Sequence, residues 1–304
     1  DSGGGAILVE YSSTVTLNHV LLEQNSVLGS AGFNRGGAIN NFGTLHVYDS
    51  TLTANEACKG GGIATDFAKI TLIDTTISYN TARDETGCGW GGGLYMYGMT
   101  NVEMMTSILE HNTAKYGGGL SYGGTANITM HDITIRKNDA RDGGGIYNQG
   151  SIALKNSSVS ENQASSSGGG IINFNDLSLT NVTISGNEAI HGGGLYNYTS
   201  VNTSMSLEHC TVSSNVVTGS GYALKTNGDT QTSIHNTILT SYIHGETCSI
   251  DPVGTLSDLG HNLSYDTTCG LSDPHSLVDI SPALQPLADY GGPTWTMALS
   301  WSSP

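Results

Sequence analysis

Two glycines, a small residue and an aliphatic one recur along this chain every 24 to 32 residues, and that recurrence limits the fold more than any other feature. Aligned on the residue after the glycine pair, the copies fall at Ala6, Ala38, Gly62, Gly93, Gly119, Gly145, Gly170 and Gly194, with Ala223 as a degenerate ninth. The next residue is Ile7, Ile39, Ile63, Leu94, Leu120, Ile146, Ile171, Leu195 or Leu224, aliphatic without exception, so this column points inward. A fixed repeat of this length signals stacked units that share one continuous core.

Each repeat divides into three short strands. After the aliphatic residue comes a period-two pair, from Val15/Leu17 through Ile152/Leu154 to Met205/Leu207, with one face buried and one wet. A turn residue follows: His19, Asp49, Asp74, Thr106, Asp132, Asn156, Asn181, His209. A third strand adds the inward residues Leu22, Leu52, Ile77, Leu109, Ile135, Val159, Ile184 and Val212. Three residues on stands an unbroken column: Asn25, Asn55, Asn80, Asn112, Asn138, Asn162, Asn187, Asn215. Stacked amides can hydrogen-bond along the stack, and a bend there suits Asn in a left-handed conformation. The period of two and the β-branched content exclude a helical repeat. A propeller blade takes four strands and roughly 40 residues or more. The reading is all-β: a single-stranded parallel β-helix of about nine coils over residues 1–242, right-handed because parallel crossovers nearly always are. Residues 243–304 hold all six prolines and no glycine triplet, and are expected to cap the open end.

Charged residues are only 12%, so Ser, Thr, Asn and Gly must cover the surface. The net charge of −16, with 10 Lys and Arg, argues against nucleic acid and anionic membrane as partners. It leaves cations such as Ca²⁺ more plausible. No stretch approaches 18 apolar residues, so no membrane span is expected. The chain opens in mid-repeat at Asp1-Ser2-Gly3-Gly4-Gly5, so further sequence, with room for a secretion signal, is expected before it.

The repeat resembles the GGG-[IL]-Y-N…L-x-L-x-N-x-T-I-S-x-N-x-A pattern of bacterial secreted right-handed β-helix proteins, most closely in 143–162, 168–187 and 192–215. The tail, Gly260-His-Asn-Leu-Ser-Tyr-Asp…Cys269 and then Leu284-Gln-Pro-Leu-Ala-Asp-Tyr-Gly-Gly-Pro-Thr-Trp-Thr-Met-Ala-Leu299, resembles the C-terminal region of choice-of-anchor Q or CSLREA-type surface proteins. That family runs on into Ser-Pro-Ala-Ile-Asp, where this chain has Ser300-Trp301-Ser302-Ser303-Pro304. The resemblance implies export and a place at the cell surface or in the matrix. It brings no catalytic residues. Cys248 and Cys269 match cysteines of the resembled tail, which implies that they pair.

Stacking would bring Cys58 and Cys88, just before the glycines of consecutive coils, close enough for a disulfide, which fits an oxidising compartment. Cys210 falls in an inward column and reads as a buried apolar thiol. No CxxC or HExxH motif points to zinc, and the ten histidines form no column. A Ca²⁺-dependent polysaccharide lyase on this fold would need acids and a cationic base on one face. Asp132, Asp139 and Asp142 with Arg136, Lys137 and Arg141 are the best such cluster, while Asp49 and Asp74 read as turn formers. Tyr95, Tyr147 and Tyr196 could stack sugars or one another. Asn197 and Asn202, sequons in an insertion, are the glycosylation candidates. The Thr/Ser column at Thr51, Thr76, Thr134, Ser158, Thr183 and Thr211 is a faint match to an ice-binding face. The reading is therefore an extracellular structural or adhesive rod, able to self-associate end to end or hold carbohydrate, with the lyase as alternative.

Overall fold

The computed structural model describes residues 4–27, 34–84, 87–98, 101–198, 203–241 and 244–304. Its regular structure is all strand. Ten strands stack as a first sheet, from Ile7–Val9 to Cys248–Ser249, and ten as a second, from Thr14–Asn18 to Thr255–Asp258. Eleven stack as a third, from Leu21–Glu23 to Leu277–Val278. A shorter fourth sheet joins Asp139–Asp142, Gln163–Ser167, Glu188–His191 and Val216–Ser220. The whole is a parallel β-solenoid of about nine turns. Among the described residues no helix is long and apolar enough to cross a membrane.

Equivalent residues meet from coil to coil. Leu52, Ile77, Leu109, Ile135, Val159, Ile184 and Val212 pair in register along the third sheet, each fully buried. The first and second sheets contribute their own aliphatic columns to the same core.

Two features set the bends. The turn between second and third sheets puts His19, Asp49, Asp74, Thr106, Asp132, Asn156, Asn181 and His209 in the left-handed region. The second left-handed column, Gln24, Ala54, Tyr79, His111, Lys137, Glu161, Gly186 and Ser214, lies one residue before the asparagines. The expectation that Asn itself takes this conformation is therefore corrected. Asn is needed for its amide. Asn162 Oδ1 accepts from both the backbone N and Nδ2 of Asn138, at 3.0 and 2.9 Å. Asn162 Nδ2 in turn donates to Ile135 O and to Asn187 Oδ1. The pattern repeats from Asn25 to Asn215, and it satisfies buried backbone groups that the tight bend strips of sheet partners. The glycine triplet turns the chain back. Gly168 is left-handed, and a Cβ on Gly144 would lie 2.5 Å from Gly169 O, so only glycine fits between the coils.

The ladder does not end at residue 242. Cys248–Ser249, Thr255–Asp258 and Leu263–Ser264 form a further coil on Leu224–Asn227, Thr230–His235 and Ile238–Leu239, and Leu277–Val278 extends the third sheet again. The sequence hides this coil because it lacks the glycine triplet. Beyond it the chain doubles into a hairpin, with antiparallel bridges Leu284–Leu299 and Ala288–Thr296. The hairpin lies back along the third sheet: Thr296 Oγ1 is 3.0 Å from Thr183 Oγ1, Thr294 Oγ1 donates to Asn156 O, and Trp295 packs on Arg136. Ser158 and Thr183 are buried, so the Thr/Ser column is not an open ice-binding face.

Candidate functional site: a groove beside the first sheet

One column breaks the uniformity. Immediately before the glycines, in register from coil to coil, stand Arg35, Lys59, Trp90, Tyr116, Asp142, Ser167, His191 and Ser220. The asparagine and glycine columns repeat one residue to hold the stack; this one changes at nearly every coil. Facing it is the outward column of the first sheet, Tyr95, Ser121, Tyr147, Ile172 and Tyr196. Between them opens a recess of about 380 Å³ lined by Arg35, Lys59, Trp90, Tyr95, Tyr97, Ser121, Gly123 and Gln149, a size typical of small-ligand sites.

Rings run along this groove. Trp90 lies 4.4 Å from Tyr116 and 5.6 Å from Tyr147, and Tyr147 lies 5.0 Å from Phe174. Tyr95, Tyr147 and Tyr196 are themselves buried at 6–7% exposure. They do not stack on one another: Tyr95 packs on Tyr97, Tyr147 on Trp90, Tyr116 and Phe174, and Tyr196 on Tyr198, and burial leaves them little face to offer a sugar. The ring surface that solvent reaches belongs to half-buried Trp90, Tyr116 and Phe174 and to exposed Tyr97. Burial raises the Tyr147 hydroxyl far above its usual range, and the nearby Asp142 and Tyr116 add to the effect.

The groove has a cationic end. Arg35 is held by an ion pair to Asp66, which is 5% exposed. The Lys59 ammonium sits 5.5 Å from the Tyr95 ring centre. Burial, and then repulsion from Arg35, lower its pKa. Sequence reasoning missed Lys59, Trp90 and Tyr116, although each directly precedes a glycine triplet, because the alignment began at the glycines.

The other candidates fare unequally. Cys58–Cys88 and Cys248–Cys269 are disulfides, and Cys210 is a buried free thiol pushed up to about 11 by burial. Asn197 is fully buried, accepts from Asn173 and donates to Thr232 Oγ1. An amide engaged in this way is not open to a glycosyltransferase, so that candidate is withdrawn; Asn202 lies outside the described residues. The lyase cluster divides: Asp139, Arg141 and Asp142 share the strand Asp139–Asp142, and the other three lie off it. Asp132 is on the turn, Arg136 pairs with Glu110 at 2.7 Å on the third sheet, Lys137 pairs with Glu161, and Arg141 pairs with Asp142 at the fourth. Histidines do line up near the C-terminal end, contrary to expectation. His209, His235, His261 and His275 follow one another at 6.3, 6.2 and 5.2 Å, two of them in coils the repeat does not reveal. Among the described residues no group of three or more His, Cys, Asp or Glu side chains is arranged to hold a metal ion.

Against this geometry, no family model, curated protein or solved structure matches the chain.

Proposed function

We propose that this chain is an extracellular structural or adhesive protein whose rigid solenoid presents the aromatic groove to a glycan and binds it without turnover. The observation that carries the reading is the row of solvent-reached rings at Trp90, Tyr116 and Tyr97 on a face where the glycine bends fix every position. Aromatic faces offer a flat apolar platform to the C–H face of a sugar, and rigid elements hold such platforms in place. Two disulfides support an oxidising, extracellular setting. Binding rather than cleavage is supported by the pairing of Asp142, the one carboxylate of the groove column, with Arg141. Screening an array of polysaccharides tests this. Trp90→Ala with Tyr116→Ala should lose the bound glycans while keeping the β-sheet circular dichroism signal, and no reducing or unsaturated ends should appear on incubation. Undiminished binding by the double variant, or release of such ends, would refute it.

A further inference from the structure

The groove is not electrically neutral along its length. At the end nearest Arg35 it carries two cations, Arg35 and Lys59, against one buried carboxylate, Asp66, which leaves one positive charge. Asp66 holds the guanidinium, so Arg35 is fixed at the wall. Lys59 has no carboxylate partner among the described residues; its neighbours are the Tyr95 ring and Arg35. An ammonium that is half-buried, beside a second cation and over a ring face, lacks the anion that such a place ordinarily holds. Both influences on Lys59, burial and the Arg35 charge, press against its proton, and a negative group seated in the recess would relieve both.

The chain as a whole carries −16. Its summed field opposes any approaching polyanion, while the recess favours one negative group at short range. These two effects select together. A saccharide with an isolated carboxylate gains the local contact and meets little of the long-range repulsion. A densely charged polymer gains the same single contact and meets the repulsion at every unit.

We infer that the groove recognises a saccharide bearing a single or sparse carboxylate, seated on Lys59 and Arg35 with its sugar ring against Trp90 and Tyr97. This rests on the glycan-binding reading above. The carboxylate could come from a hexuronate branch or from a terminal sialate, and the chemistry at Lys59 is the same for both.

Titration calorimetry of the intact chain separates the cases. The probes are glucuronate-substituted xylotetraose with xylotetraose, sialyllactose with lactose, and heparin. At least one acidic sugar should bind tenfold or more tighter than its neutral parent, and the pair that shows the difference identifies the source. Heparin should bind no tighter than that sugar. Lys59→Met keeps the apolar stem and should reduce acid binding to the level of the neutral parent, and Lys59→Arg should restore it. Equal binding of acid and parent overturns this inference and leaves glycan binding intact. Tightest binding by heparin, or an unaffected Lys59→Met, also overturns it. Silence toward every saccharide, neutral ones included, overturns the glycan reading as well.

Discussion

At the residue scale, the asparagine column and one aspartate, Asp266, bear most weight. Removing the Asn162 amide strands the backbone N and Nδ2 of Asn138 in a dry bend and leaves Ile135 O and Asn187 Oδ1 short of a donor. At about 1–3 kcal/mol for each orphaned buried group, Asn162→Ala should destabilise the chain by about 3 kcal/mol or more in urea unfolding. Exposed Gln163→Ala should stay within about 0.5 kcal/mol. Equal losses from the two would remove the ladder from the account. Asp266 acts in the last coil. Burial alone would raise its carboxyl, but hydrogen bonds from Thr268 and Thr247 outweigh it and hold it down to about 2, against the ordinary 3.8. A pKa lowered by folding adds stability above the unfolded value and loses it as pH falls toward the folded one. Asp266→Asn should therefore melt below the native chain at pH 7, and the gap should close between pH 4 and pH 2. A gap that stays constant through that window would rule out the linkage. The Asn column was visible in the sequence as an unbroken letter. Asp266 was not, because Thr247, 19 residues away in the chain, meets it only when the tail folds.

At the element scale, the third sheet and its strand partners were legible because the period of two survives in every repeat from Leu52 to Val212. The coil at 248–264 was not legible. It keeps parallel pairing through Cys248, Leu256 and Leu263 but forms its bends without glycine triplets. The groove was half legible: Tyr95, Tyr147 and Tyr196 stood out, whereas burial turns them into support for Trp90 and Tyr116. Disulfides reinforce separate places along the stack. Cys58–Cys88 joins two consecutive coils across 30 residues of chain, which by loop entropy contributes about 3–4 kcal/mol. The double variant Cys58→Ala, Cys88→Ala should lose about that much in guanidinium unfolding. Thiol titration of the native chain under denaturing, non-reducing conditions should find one thiol, Cys210. Three or more would show that these bridges are not formed.

At the scale of the whole molecule, stability and function both rest on coils that repeat at a fixed rise. Each coil pairs its strands with those of its neighbours, so rigidity is built from many local registers. The groove gains from this, since rings on successive coils are held at the strand spacing and not by loops. Spin labels on exposed residues of the second sheet read that spacing directly. Lys69 and Gln231 lie six pairing steps apart in one column, and Thr14 and Thr255 lie nine. At about 4.8 Å per step, pulsed dipolar spectroscopy should give narrow distributions near about 29 and 43 Å, in the ratio of the step counts. Broad distributions, or separations that do not scale with the number of coils, would contradict a solenoid held in register.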